Sequence, residues 1–282
     1  MAKTTTAVAT KEAPGALVIP DFMKEHAGLG TEAIGAGSVE VPRIKLIQKF
    51  SPELDTYNDL KAGDFFHSIL EESLGTELRV CPIYVDERYI LWRPQEDAGG
   101  GILARADDGI HWSPANAEFA VKLKGGTEVT WRTAKTVAQS GLANWGSSNP
   151  GDSNSPPAAT KMFNIVVTFP DKPDLPPAVI TLQRSSVGVG KKLMGKLKIT
   201  RAPSFGLIFK VTGVSDTNKA GQSFLNYSFI SDGTVTDEGF YRSNFEYYKM
   251  FKEQGVQIRD MEALQDDDRL SDTPDNSDKP KF

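Results

Sequence analysis

Leu78-Arg-Val-Cys-Pro-Ile-Tyr-Val85 and Arg88-Tyr-Ile-Leu-Trp92 are the stretches on which the fold turns. Apolar side chains recur there at every second position, the period of a strand whose neighbours point to opposite faces. The spacing predicts two strands joined at Asp86-Glu87. Working outward, the same signal returns. Phe119 to Leu123 and Glu128 to Arg132 flank Gly125-Gly126, a hairpin pattern. Met162 to Phe169 and Ala178 to Gln183 are two further strands around the proline-rich segment Pro170 to Pro177. Phe205 to Val211 and Ser223 to Ile230 make another expected pair. The polar stretches Gly99 to Gly109 and Gly146 to Pro157 read as long loops.

Two segments carry helical signals. Ser243-Asn-Phe-Glu246 has the spacing of a capping box, which would open a helix through about Glu253 with Gly255 as its stop. Ser186 to about Lys198 sets Val189, Leu193, Met194 and Leu197 on one stripe, with lysines over much of the remainder. Gly188, Gly190 and Gly195 weaken that helix by about 1 kcal/mol each relative to Ala. The fold class is therefore mainly β, of α+β type. It should be an OB-like barrel or a curled antiparallel sheet with one or two helices.

Composition divides the chain in three. Residues 1–38 are rich in Ala, Thr and Gly and read as a flexible arm. Residues 39–259 carry nearly all the aromatic residues and form the body. Residues 260–282 hold few large apolar side chains and should be disordered, because burial cannot offset their ordering entropy. With 39% hydrophobic residues in 282, the body can build a core. No stretch approaches the roughly 18 apolar residues of a membrane span. Met1 to Lys11 shows no apolar secretory core, so a cytoplasmic setting is expected. One cysteine, Cys81, excludes an internal disulfide framework and a cysteine-based zinc cluster.

The formal charge of −5 is localised. From Asp260 to Phe282 there are eight acids against three bases, so the tail carries all of it and the rest is neutral. Within the body, Leu175 to Ser215 contains no acid and seven bases: Arg184, Lys191, Lys192, Lys196, Lys198, Arg201 and Lys210. Exposed helices usually interleave lysines with acids. Here the acids are missing, and such a segment is suited to neutralising phosphates.

Catalytic patterns are absent by spacing. His26, His67 and His111 are far apart, and Cys81 lies in an apolar strand where a thiol is normally buried and inert. Gly188-Val-Gly190-Lys191-Lys192 lacks the glycine and hydroxyl placement of a phosphate loop. Asp107-Asp108-Gly109 is explained by a turn. A non-enzyme with neither cofactor nor metal is expected. Tyr89, Trp92, Trp112 and Trp131 stand in or beside expected strands, interleaved with arginines. Aromatic faces beside cations are what a single-strand binding groove requires, although barrel cores also take aromatic residues.

The acidic terminus ending on Phe282 resembles that of single-stranded DNA-binding proteins of bacteria and T7-like phages, whose body is an OB fold. Lys279 and Lys281 depart from that pattern where it is most acidic. The body also looks like a group of tailed-phage proteins. The stretches that carry this are Val41-Pro-Arg-Ile-Lys-Leu-Ile-Gln48, Gly63-Asp-Phe-Phe66, Gly99-Gly-Gly-Ile-Leu-Ala-Arg-Ala106 and Thr181-Leu-Gln-Arg-Ser-Ser186. The resemblance implies binding of single-stranded DNA in replication or recombination in the host cytoplasm. Arg184, Lys191, Lys192, Lys196, Lys198 and Arg201 would hold phosphates, and Tyr89, Trp92, Trp112 and Trp131 would stack on bases. Asp266, Asp267, Asp268 and Phe282 would recruit replication or recombination proteins and inhibit the groove. An oligomer is compatible with this reading. A virion structural or assembly protein, and a strand-annealing recombination protein, are the alternatives.

Overall fold

A computed structural model describes residues 41–255 apart from 96, 98–99 and 218–220. The expected arm at 1–38 and tail at 260–282 lie outside the described residues.

The larger sheet is antiparallel and is organised on one long strand. Its order is β11 (Ser223–Thr234), β10 (Leu207–Thr217), β4 (Glu77–Arg93), β8 (Ala159–Thr168) and β9 (Ala178–Gln183), with β5 (Gly101–Ala106) also paired to β4. β8 runs along one edge of β4, while the other edge carries β10 at its start and β5 at its end. A small sheet contains β1 (Ile44–Leu46), β2 (Phe65–His67) and β3 (Glu72–Ser73). β6 (Glu118–Lys122) and β7 (Glu128–Arg132) form the expected hairpin. The helices are α1 (Glu53–Thr56), α2 (Val137–Ser140), α3 (Val187–Thr200) and α4 (Glu238–Gln254).

The fold is thus mainly β with a few helices, as expected. Among the described residues β11 and β9 do not pair, so no barrel closes, and an open antiparallel sheet is the form adopted.

Three local expectations are corrected. Asp86-Glu87 is not a turn, because β4 passes straight through it. Both charges are accommodated by pairing: Arg88, 8% exposed, meets Asp86 two residues away on the same face, and Lys161 of β8 meets Glu87 at 2.6 Å. Gly101–Ala106, expected in a loop, is instead β5, because β4 is long enough to offer it a partner edge. Ser243 lies inside α4, whose cap is Asp237, with its carboxylate accepting from the Phe240 amide at 2.6 Å. A capping box does exist, between Thr136 and Gln139 at the start of α2.

Period two sorts the core into two layers. Phe163, Ile165 and Val167 of β8, Ala178, Ile180 and Leu182 of β9, and Leu207, Phe209 and Val211 of β10 share one cluster with Leu193 of α3 and the small sheet. Val166, Val179 and Ile208 face the other way, into a cluster with Phe205 and Phe251 of α4. Helices α3 and α4 therefore cover opposite faces of the sheet. Buried Asn244 locks α4 down, donating to the Phe205 carbonyl at 3.1 Å and accepting from the Thr168 hydroxyl at 2.9 Å.

Candidate nucleic-acid interface

Helix α3 owes its position to its glycine. A Cβ at Gly190 would lie 2.5 Å from the Phe163 ring, so only glycine lets the helix approach β8 this closely. Leu193 packs beside it, fully buried, with Val187, Val189, Met194 and Leu197 at the margins. At 100° per residue this leaves Gly188, Lys192, Gly195 and Ile199 on the outer side, with Lys191 and Lys198 on one flank and Lys196 on the other. Packing does not explain Gly188 and Gly195, since a Cβ at either would meet nothing within 4 Å.

The sequence-predicted cations divide by environment. Lys191, Lys192, Lys198 and Arg201 are exposed, and no acid pairs with them among the described residues. Lys196 is committed, donating from Nζ to the Phe229 carbonyl of β11 at 2.6 Å. Lys210, the seventh base of the segment, is paired with Glu77 at 3.1 Å. Arg184 is exposed in the turn Arg184–Ser186 that leads into α3, and Arg201 closes the helix. Both are left-handed, at φ 46° and φ 55°, a region where a side chain costs about 1–2 kcal/mol.

The predicted stacking residues are placed elsewhere. Trp112 and Trp131 are 3% and 4% exposed and belong to the core beneath β5, β6 and β7. Their indole N–H groups are satisfied internally, Trp112 by the Ser140 hydroxyl at 3.0 Å and Trp131 by the Ser148 carbonyl at 3.1 Å. Trp92 is buried with Ile90 and Met162. Tyr89 is half-buried, with Lys161 over its ring at 5.4 Å. These are corrections to the expected groove: three indoles fill core space and present no open face to a base. Trp145, which the sequence reading omitted, is the exposed tryptophan, at 63%. Asp266, Asp267, Asp268 and Phe282 lie outside the described residues.

The sequence also gave no role to an aromatic flank on α4. Tyr241, Phe245 and Tyr248 recur at helical spacing along it. Phe205, rising from the turn Ser204–Gly206, contacts all three rings, with centroids 5.3, 5.6 and 5.4 Å away. Phe245 is 39% exposed and stacks on Tyr248 at 6.5 Å and 14°. Lys249 sits 4.3 Å over Phe245, and Lys252 lies 5.8 Å over Tyr248.

No cluster of three or more metal-ligating side chains occurs among the described residues, and no helix there is long and apolar enough to cross a membrane. The geometry defines a mainly β protein with a basic helix on one face of an open sheet and an aromatic helix on the other. Residues 10–257 match the family model of the Pam3 phage gp34-like protein, and the chain belongs to that phage protein family. No curated protein and no solved structure matches it.

Proposed function

We propose that this phage protein binds single-stranded DNA without catalysing a reaction, and that it serves replication or recombination in the host cytoplasm. The observation that carries the reading is the exposed surface of α3, where Lys191, Lys192 and Lys198 stand with Arg201 and no acid neutralises them among the described residues. Two glycines that packing does not require keep the helix surface low between the lysines. A phosphate backbone could therefore approach the helix closely. These four cations would release condensed counterions on binding. The logarithm of affinity should fall against the logarithm of salt with a slope of about −2.8 for a single strand.

The acidic residues Asp266, Asp267 and Asp268 give the tail a means to compete for the same cations. It would occupy the basic face when DNA is absent and become available to a replication or recombination partner when DNA displaces it, with Phe282 as an apolar anchor. The experiment is fluorescence anisotropy with a labelled thirty-nucleotide oligo-dT. It compares the full chain with one ending at Arg259, at two salt concentrations. Tighter and salt-sensitive binding by the shortened chain supports both the face and its inhibition. Absence of binding by either chain at low salt overturns the reading in favour of a structural or assembly role in the virion. Annealing of complementary strands in the same samples would assign the chain to strand-annealing proteins.

A further inference from the structure

We infer that the flank of α4 formed by Tyr241, Phe245 and Tyr248 is the platform on which unpaired bases of the bound strand stack, an inference that rests on the single-stranded DNA reading above. A stacking site needs an accessible aromatic face, rigid support and nearby cations for the phosphates on either side. The buried indoles of Trp92, Trp112 and Trp131 fail the first requirement. Phe245 meets it, and its support is rigid: the ring stacks on Tyr248, and Phe205 underpins both while itself only 8% exposed. Asn244, the preceding residue, is pinned by its two buried hydrogen bonds.

Two lysines stand beside the rings. Lys252 lies against Tyr248, and Lys249 lies against Phe245 while paired with Glu246 at 2.8 Å; as exposed side chains both can swing to phosphates when a base replaces them over the aromatic faces. The platform is also tied to the basic helix by a short connection. Arg201, Ala202 and Pro203 are all exposed and lead directly to Phe205. Four residues span at most about 14 Å, so the cationic end of α3 and the ring cluster lie within that reach although the helices cover opposite faces. A strand held along the lysines of α3 can pass over this connection and lay its next bases on α4.

The test compares oligo-dT of thirty nucleotides with an abasic deoxyribose-phosphate strand of the same length, at one low salt concentration. Phe245→Ala should weaken oligo-dT binding about tenfold, the usual effect of removing one stacking partner, and leave the abasic strand unaffected. A triple variant, Lys191→Gln with Lys192→Gln and Lys198→Gln, should weaken both. Photocrosslinking of the unaltered chain to an oligonucleotide carrying 5-iododeoxyuridine should label Phe245 or Tyr248, which keeps the test decisive if Phe245→Ala fails to fold. Unchanged oligo-dT affinity in a folded Phe245→Ala protein, or crosslinks confined to other residues, overturns the platform while the basic face stands. If the unaltered chain binds neither strand, the DNA reading itself fails, and the platform with it.

Discussion

The ammonium group of Lys196 donates to the carbonyl oxygen of Phe229 at 2.6 Å, tying the basic helix to the edge strand β11. β11 has β10 on one side only, and an unpaired edge of this length invites pairing with other chains. Its outer groups are instead met by side chains. Gln48 binds both backbone groups of Leu225, accepting from its N–H at 2.8 Å and donating to its carbonyl at 2.9 Å. Lys196→Met should therefore destabilise the fold by about 1–2 kcal/mol, because it removes a partly buried charge-assisted hydrogen bond. Lys192→Met should change stability by less than about 0.5 kcal/mol, as is usual for surface positions. Urea denaturation of the two variants separates a structural lysine from a surface one.

The glycines of α3 give opposite expectations. Gly190→Ala places a methyl 2.5 Å from the Phe163 ring, and overpacking of this kind costs about 1–3 kcal/mol. Gly195→Ala meets nothing within 4 Å and should stabilise the helix by up to about 1 kcal/mol. Paired thermal melts with opposite signs are the expected outcome. A stabilised Gly190→Ala would show that α3 does not pack on β8 as described.

Legibility in the sequence followed the range of the interaction. Local signals were readable: Gly125-Gly126 marked the β6–β7 hairpin, and the alternation in Met162 to Phe169 marked β8. Gly255 marked the end of α4. Features set by partners distant in the chain were not. Asp86-Glu87 looks like a turn because two adjacent charges are costly in a strand, and they are tolerable there because Asp86 pairs with Arg88 and Glu87 with the distant Lys161 of β8. The Gly99 to Gly109 stretch looks like a loop until β4 supplies an edge for it. Of the candidate site, the lysines were legible as a run without acids. The tryptophans were misassigned because a strand pattern gives the face of a residue but not whether another layer covers that face. A signal for the α4 platform existed in the recurrence Tyr241, Phe245, Tyr248, but it was indistinguishable from a core stripe until Phe205 and its neighbours were in place.

The burial of the indoles has its own consequence. Trp131→Phe loses the hydrogen bond to the Ser148 carbonyl and packing around it, and should cost about 1–3 kcal/mol of stability. Its affinity for oligo-dT should stay within twofold of the original. Acrylamide should quench mainly the emission of Trp145, the exposed indole. A large loss of affinity with full stability would restore Trp131 to the binding groove.

Burial pushes the Cys81 thiol from its ordinary 9.0 up to about 12. The folded protein therefore holds this proton more tightly than the unfolded chain does. The stability that this confers is fully present below about pH 9. It is lost as pH rises towards 12, at up to about 1.4 kcal/mol per pH unit. At pH 8 a thiol reagent should react only as the protein unfolds in urea, and the urea midpoint should fall between pH 8 and pH 10. Rapid labelling of the native protein would contradict the buried position.

Arg201 sets binding against stability. It closes α3 in the left-handed region at φ 55°, where glycine is the usual residue. Arg201→Gly should relieve that cost and raise stability by about 1 kcal/mol. The same change deletes a cation from the start of the connection to Phe205. It should therefore weaken oligo-dT binding severalfold and reduce the salt slope by about 0.7. Gains in stability and losses in affinity from one substitution are expected where a side chain is kept for its ligand. A protein that becomes more stable and binds unchanged would remove Arg201 from the interface. If stability falls as well, Arg201 supports the fold through its side chain.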